Sequence, residues 1–105
     1  MSKLRRFPRV SPGDFRNNLG DNLMEISLAQ KNFVLYRHGQ RMCVFTPIER
    51  GARGEIITPS EYRRHSSEYI AKVRYGHKRR FIIAKRGRKL AWMRPVEDVG
   101  IAPGR

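Results

Sequence analysis

The stretch "VSPGDFR", Val10–Arg16, has a counterpart in "ITPSEYR", Ile57–Arg63. Both follow one formula: aliphatic, hydroxyl, proline, small residue, acid, aromatic, arginine. The likeness continues downstream. "FVLYRHGQRMCVFTPIE", Phe33–Glu49, aligns without a gap on "FIIAKRGRKLAWMRPVE", Phe81–Glu97. Phe, Gly, Pro and Glu are identical there, and the aliphatic positions are exchanged conservatively. The offset is 47 in the first pair and 48 in the second, so one extra residue lies in the second half. Internal repetition of this kind decides the architecture before any single element does.

The formula reads as a helix start. Ser11 and Thr58 are N-cap residues, whose hydroxyls accept a bond from a first-turn N–H. Pro12 and Pro59 stand at the first helical position, where a missing N–H costs nothing. Asp14 and Glu61 fall at the third, suiting the positive helix end and, for Glu61, a capping box. Val10 against Phe15, and Ile57 against Tyr62, have staple spacing. The first helix then carries Phe15, Leu19, Leu23 and Ile26 on one face, and the second Tyr62, Ser66, Ile70 and Val73.

Two hairpins follow. Phe33–Tyr36 and Met42–Thr46 flank "RHGQ", and Phe81–Ala84 and Leu90–Met93 flank "KRGR". Gly39 and Gly87 supply the positive φ of a tight turn, and Pro47 and Pro95 end the outgoing strands. Short strands at Phe7–Val10 and Glu55–Thr58 precede the helices. The expected fold is α+β: two β-α-β-β units, residues 1–50 and 51–105, joined by "ERGARG" at Glu49–Gly54. A unit of about fifty residues buries too little surface to stand alone. A single-chain pseudo-dimer around a shared antiparallel sheet answers that need.

Charge bounds the partner. The 105 residues hold 23 Lys and Arg against 9 Asp and Glu, a net +14. Such a field attracts polyanions, nucleic acid first and anionic membrane second. No apolar run approaches the roughly 18 residues of a membrane span, and no secretion signal is expected. The lone Cys43 aligns with Ala91 and reads as a small core residue, in keeping with a reducing cytoplasm. His38, His65 and His77 have no metal-ligand spacing. No nucleophile, base and acid recur at catalytic spacing, so neither an enzyme nor a cofactor is expected. Trp92, Phe45 and Tyr36 alternate on strands and suit core or interface positions better than base stacking.

Each unit resembles the N-terminal domain of the prevent-host-death (Phd/YefM) antitoxins. The likeness rests on "RNNL" at Arg16–Leu19, "LYRHG" at Leu35–Gly39 and "CVFTPIE" at Cys43–Glu49. In the second half it rests on "RRHS" at Arg63–Ser66, "IAKRG" at Ile83–Gly87 and "AWMRPVE" at Ala91–Glu97. It spans nearly the whole chain. The resemblance implies dimerisation through this domain, binding of double-stranded operator DNA, and a bacterial or phage setting. It also implies DNA contacts from an arginine early in the helix and a basic residue in the hairpin turn. Position by position these are Arg16 and Arg37, then Arg63 and Lys85. The family's long toxin-wrapping segment has no counterpart before "DVGIAPGR", so a transcriptional repressor is expected rather than a toxin's partner. The second helix has His65 and Ser66 where the family has Asn-Leu. Because the two readers differ in sequence, a perfect palindrome is not required.

Residue chemistry widens the candidate set. Arginine clamps phosphate and reads guanine with two bonds, and helix starts add free N–H groups that favour phosphate. Asn17 and Arg64 neighbour the helix arginines. "KVRYGHKRRF" adds Lys78 and Arg79, and "AKRGRK" adds Arg86. Residues 1–50 carry nine Lys and Arg against four acids, and the remainder fourteen against five. The second half should therefore hold a phosphate backbone more firmly. Blander uses stand beside these: Arg16 and Arg63 pairing with acids on their own helices, and Arg37 and Lys85 as ordinary polar turn residues. Two other functions also stay open: an antitoxin-like or inhibitor protein that binds a partner protein, and a basic RNA-binding protein. Strand edges leave room for further self-association.

Overall fold

The computed structural model describes residues 7–76 and 79–101. Both helix starts form the caps their sequences predict. In α1, Pro12–Asn17, the Asp14 N–H donates to Ser11 Oγ at 3.1 Å. In α3, Pro59–Tyr75, the Glu61 N–H donates to Thr58 Oγ1 at 3.1 Å and the Thr58 N–H donates to Glu61 Oε1 at 3.0 Å. Such a cap contributes about 1 kcal/mol.

The first helix is not continuous. Asn18 leaves helical geometry (φ −114, ψ 32), and the chain resumes as α2, Leu19–Ala29. The Asn18 side chain and backbone N–H both donate to the Asp14 carbonyl, each at 3.1 Å, which closes α1. α3 bends at His65 (φ −127, ψ 33), the position matching Asn18 in the repeat. The breaks preserve the apolar stripes. Phe15, Leu19, Leu23 and Ile26 are buried, as are Tyr62, Tyr69, Ile70 and Val73. Tyr69 carries the burial expected of the half-buried Ser66.

The hairpins are β2 with β3, Phe33–Arg37 and Gln40–Thr46, and β5 with β6, Phe81–Lys85 and Arg88–Arg94. Two residues close each turn, and all four have positive φ: His38 51° and Gly39 76°, Arg86 53° and Gly87 79°. Both central positions of this turn type need φ above zero, which a glycine adopts without strain. The register shifts once in each hairpin, at Leu35/Tyr36 and at Ile83/Ala84, again matching positions.

The sheet is mixed, not antiparallel throughout. β1, Arg9–Val10, runs parallel to β2, and β4, Glu55–Ile57, runs parallel to β5. The reason is the helix between them: a strand joined to its neighbour by a helical crossover returns in the same direction. β4 stops at Ile57 because Thr58 is committed to the α3 cap. The architecture is thus α+β, a six-stranded mixed sheet in the order β1-β2-β3-β6-β5-β4 with three helices. β3 and β6 meet antiparallel at the centre, with Phe45 opposite Met93, Val44 opposite Arg94 and Thr46 opposite Trp92. Phe45 and Met93 are matching positions, so the register reads the same from either strand.

The main core lies between the helices and one face of the sheet. Phe15 stacks on Phe45 at 4.3 Å between ring centroids, and Tyr62 meets both edge-on at 6.2 and 5.5 Å. Contacts then run from Tyr62 to Tyr69 and on to Phe81, so one aromatic chain joins the two halves. Burying each such side chain stabilises the fold by about 1.5–3 kcal/mol. A second cluster, Phe7, Val34, Val44, Val96 and Ile101, includes residues of the opposite sheet face. It draws residues 96–101 from the tail onto strands of the first half, with Val96–Val99 forming a 3-10 turn. A two-pronged Arg80–Asp98 ion pair, 2.6 and 2.7 Å, fastens that turn. No helix among the described residues is long and apolar enough to cross a membrane.

Candidate functional site

Two open grooves flank the sheet, and they are built alike. The first, about 450 Å³, is lined by Ser11, Gly13 and Arg16 at the α1 start and by Arg37 and Met42 of the first hairpin. Its far wall is the second part of α3, from Ser66 to Tyr75. The second, about 700 Å³, is lined by Thr58, Ser60 and Arg63 at the α3 start and by Lys85, Arg86, Arg88 and Leu90 of the second hairpin. Its far wall is α2, from Leu19 to Leu28. Each groove therefore needs both halves of the chain. One half supplies the helix start and hairpin, the other supplies the wall.

The structure brings Arg16 together with Arg37, and Arg63 together with Lys85 and Arg86. All five are exposed. The helix arginines are held by the caps just before them, and the turn residues by the two-residue loops that raise the hairpin tips. Arg88 joins the second groove and was not singled out from the sequence, although it lies in the quoted "AKRGRK" run. Asn17 and Arg64 are exposed beside the helix arginines but line neither groove. Lys78 lies outside the described residues. Arg79 lines neither groove and is bound instead to Glu55, Nη2 to Oε1 at 2.7 Å.

Acids of the chain claim only some of its cations, and the groove cations are among those left without an ion pair, as are Arg9, Arg53, Arg64 and Lys89 elsewhere among the described residues. Acids hold Lys31, Arg79, Arg80 and Arg94 in ion pairs. Among the described residues, Arg16, Arg37, Arg63, Lys85, Arg86 and Arg88 make no ion pair. The helix arginines thus do not pair with acids of their own helices. The helix ends themselves contribute less than their sequences suggest. Proline removes the first N–H, the cap uses the third, and α1 is only six residues long. Side-chain cations, rather than backbone N–H groups, carry the positive potential.

Other polar groups have structural work. Arg94 is 11 % exposed at its side chain, donates from Nε to Thr46 Oγ1 at 3.1 Å, and lies 4.1 Å over the Trp92 ring. Burial lowers its pKa. Trp92 donates from Nε1 to the Arg53 carbonyl at 3.0 Å, which ties the linker to β6. Cys43 is fully buried, and that burial pushes its thiol pKa up. Among the described residues no cluster of His, Cys, Asp and Glu is able to hold a metal ion. No protein-family model matches this chain, and comparison with curated proteins and with solved structures found no match.

Proposed function

We propose that the chain is a single-chain pseudo-dimer of two β-α-β-β units and acts as a sequence-specific double-stranded DNA-binding repressor. The observation that carries this reading is the repeated groove: a helix arginine and a hairpin cation, both exposed and without ion pairs, set side by side twice. The self-matching register at Phe45 and Met93 supports the pseudo-dimer, because a two-fold interface pairs equivalent positions. The Phd/YefM-like motifs support DNA as the ligand, since Arg16, Arg37, Arg63 and Lys85 are the positions those motifs imply. Cations bind phosphates and fix register, while arginine also reads base edges.

Selection of binding sites from random duplex DNA with the purified chain tests the reading. An enriched motif with two spaced half-sites is expected. Failure to enrich any duplex sequence, or tighter binding to single-stranded RNA than to duplex at equal salt, would overturn it.

A further inference from the structure

The two grooves match in plan but differ in charge, and the difference sits in the hairpin turns. Arg37, His38 and Gln40 of the first turn match Lys85, Arg86 and Arg88 of the second. Arg16 and Arg37 are the two cations lining the first groove, which has no acid in its lining. Arg63, Lys85, Arg86 and Arg88 line the second, with Asp21 on its far wall. The walls differ too. The first has small Ser66, Ser67 and Ala71, whereas the second has Met24 and Leu28, 59 and 63 % exposed.

Resting on the DNA-binding reading, we infer that the chain binds DNA in one fixed orientation. The groove of Arg63, Lys85, Arg86 and Arg88 is the phosphate-anchoring half, and the groove of Arg16 and Arg37 is the lightly anchored half. A symmetric homodimer has no such polarity, because its half-sites are chemically identical. Here the fusion of unequal halves supplies it, and the preferred site is asymmetric. The turn positions 86 and 88 set the polarity. They are the places where the second turn carries a cation and the first a neutral residue.

The magnitude follows from counterion release. Each phosphate contact adds about 0.9 to the slope of log affinity against log salt. Four contacts give about 3.6 and two give about 1.8. From 50 to 200 mM salt the second groove's share of affinity falls about 150-fold and the first groove's about 12-fold.

The test uses Arg86→His with Arg88→Gln, which gives the second turn the first turn's residues, and the reciprocal His38→Arg with Gln40→Arg. His38 and Arg86 share the same left-handed backbone, φ 51° and 53°, so either exchange leaves the turn intact. Affinity for a selected duplex is measured from 50 to 200 mM salt, with a hydroxyl-radical footprint of both strands. The first pair should lower the salt slope by about 1.8 and make the footprint symmetric about its centre. The reciprocal pair should raise the slope and also equalise the halves. A wild-type footprint already symmetric, or a slope unchanged in both variants, would overturn the inference while leaving duplex binding standing. Absence of wild-type duplex binding at 50 mM salt would remove the DNA reading, and the inference with it.

Discussion

Replacing Arg16 and Arg63 together by alanine separates a DNA-reading role from a structural one. Both side chains are exposed and neither has an ion pair among the described residues. Alanine suits a helix at least as well as arginine, so the fold should lose no more than about 0.5 kcal/mol. Binding should change far more. Two lost phosphate contacts lower the salt slope by about 1.8, and affinity at 50 mM salt falls accordingly. Where the arginines hold guanine with two bonds instead of a phosphate, discrimination falls by about 1–3 kcal/mol per half-site. Selectivity over random duplex then drops at least about thirtyfold. Fluorescence anisotropy with selected and random duplexes at three salt concentrations reads both quantities, and a thermal melt checks the fold. Arg16→Lys with Arg63→Lys is the control. It keeps the charge and the slope but loses the planar fork, so only selectivity should fall. An alanine variant that melts normally and keeps wild-type affinity, slope and selectivity would refute the site.

Further predictions concern the scaffold. Tyr62 is fully buried and its hydroxyl has no hydrogen-bond partner, so Tyr62→Phe should stabilise the protein by about 1 kcal/mol in denaturant unfolding. A Cβ on Gly54 would lie 2.7 Å from the Arg80 carbonyl oxygen, whereas one on Gly20, within α2, meets nothing within 4 Å. Gly54→Ala should therefore cost about 1–3 kcal/mol, and Gly20→Ala should add about 0.5 kcal/mol. Arg94→Ala removes the guanidinium contacts to Thr46, Glu49 and Trp92 beside the central β3–β6 pairing. It should cost about 2 kcal/mol, read by chemical unfolding. Cys43 sets a pH dependence. Burial raises its pKa in the fold, so the unfolded chain alone loses the proton as pH rises above about 8.5. Stability contributed below that pH is lost above it, by about 1.4 kcal/mol per unit. Cys43→Ala should flatten the decline between pH 8.5 and 10, measured by urea melts.

The local half of this structure was legible in the residues themselves. Ser11 with Asp14, Thr58 with Glu61, and the glycines at 39 and 87 act across three or four residues, so caps and turns form wherever those letters stand. The repeat likewise announced matching elements, and the breaks at Asn18 and His65 and the two register shifts fall at matching places. The long-range half was decided only by tertiary pairing. Parallel β1 and β4 follow from helical crossovers, and Tyr69 replaces Ser66 in the core because α3 bends between them and the stripe's start. Arg79 and Arg94 look like Arg63 and Arg86 in the sequence, yet Glu55 claims the first, and Thr46, Glu49 and the Trp92 ring claim the second. The grooves show the same division. Charge and spacing nominated Arg16, Arg37, Arg63 and Lys85, but each groove's far wall comes from the other half of the chain. A surface assembled from residues some fifty positions apart depends on how the whole sheet closes, and no local pattern encodes that closure.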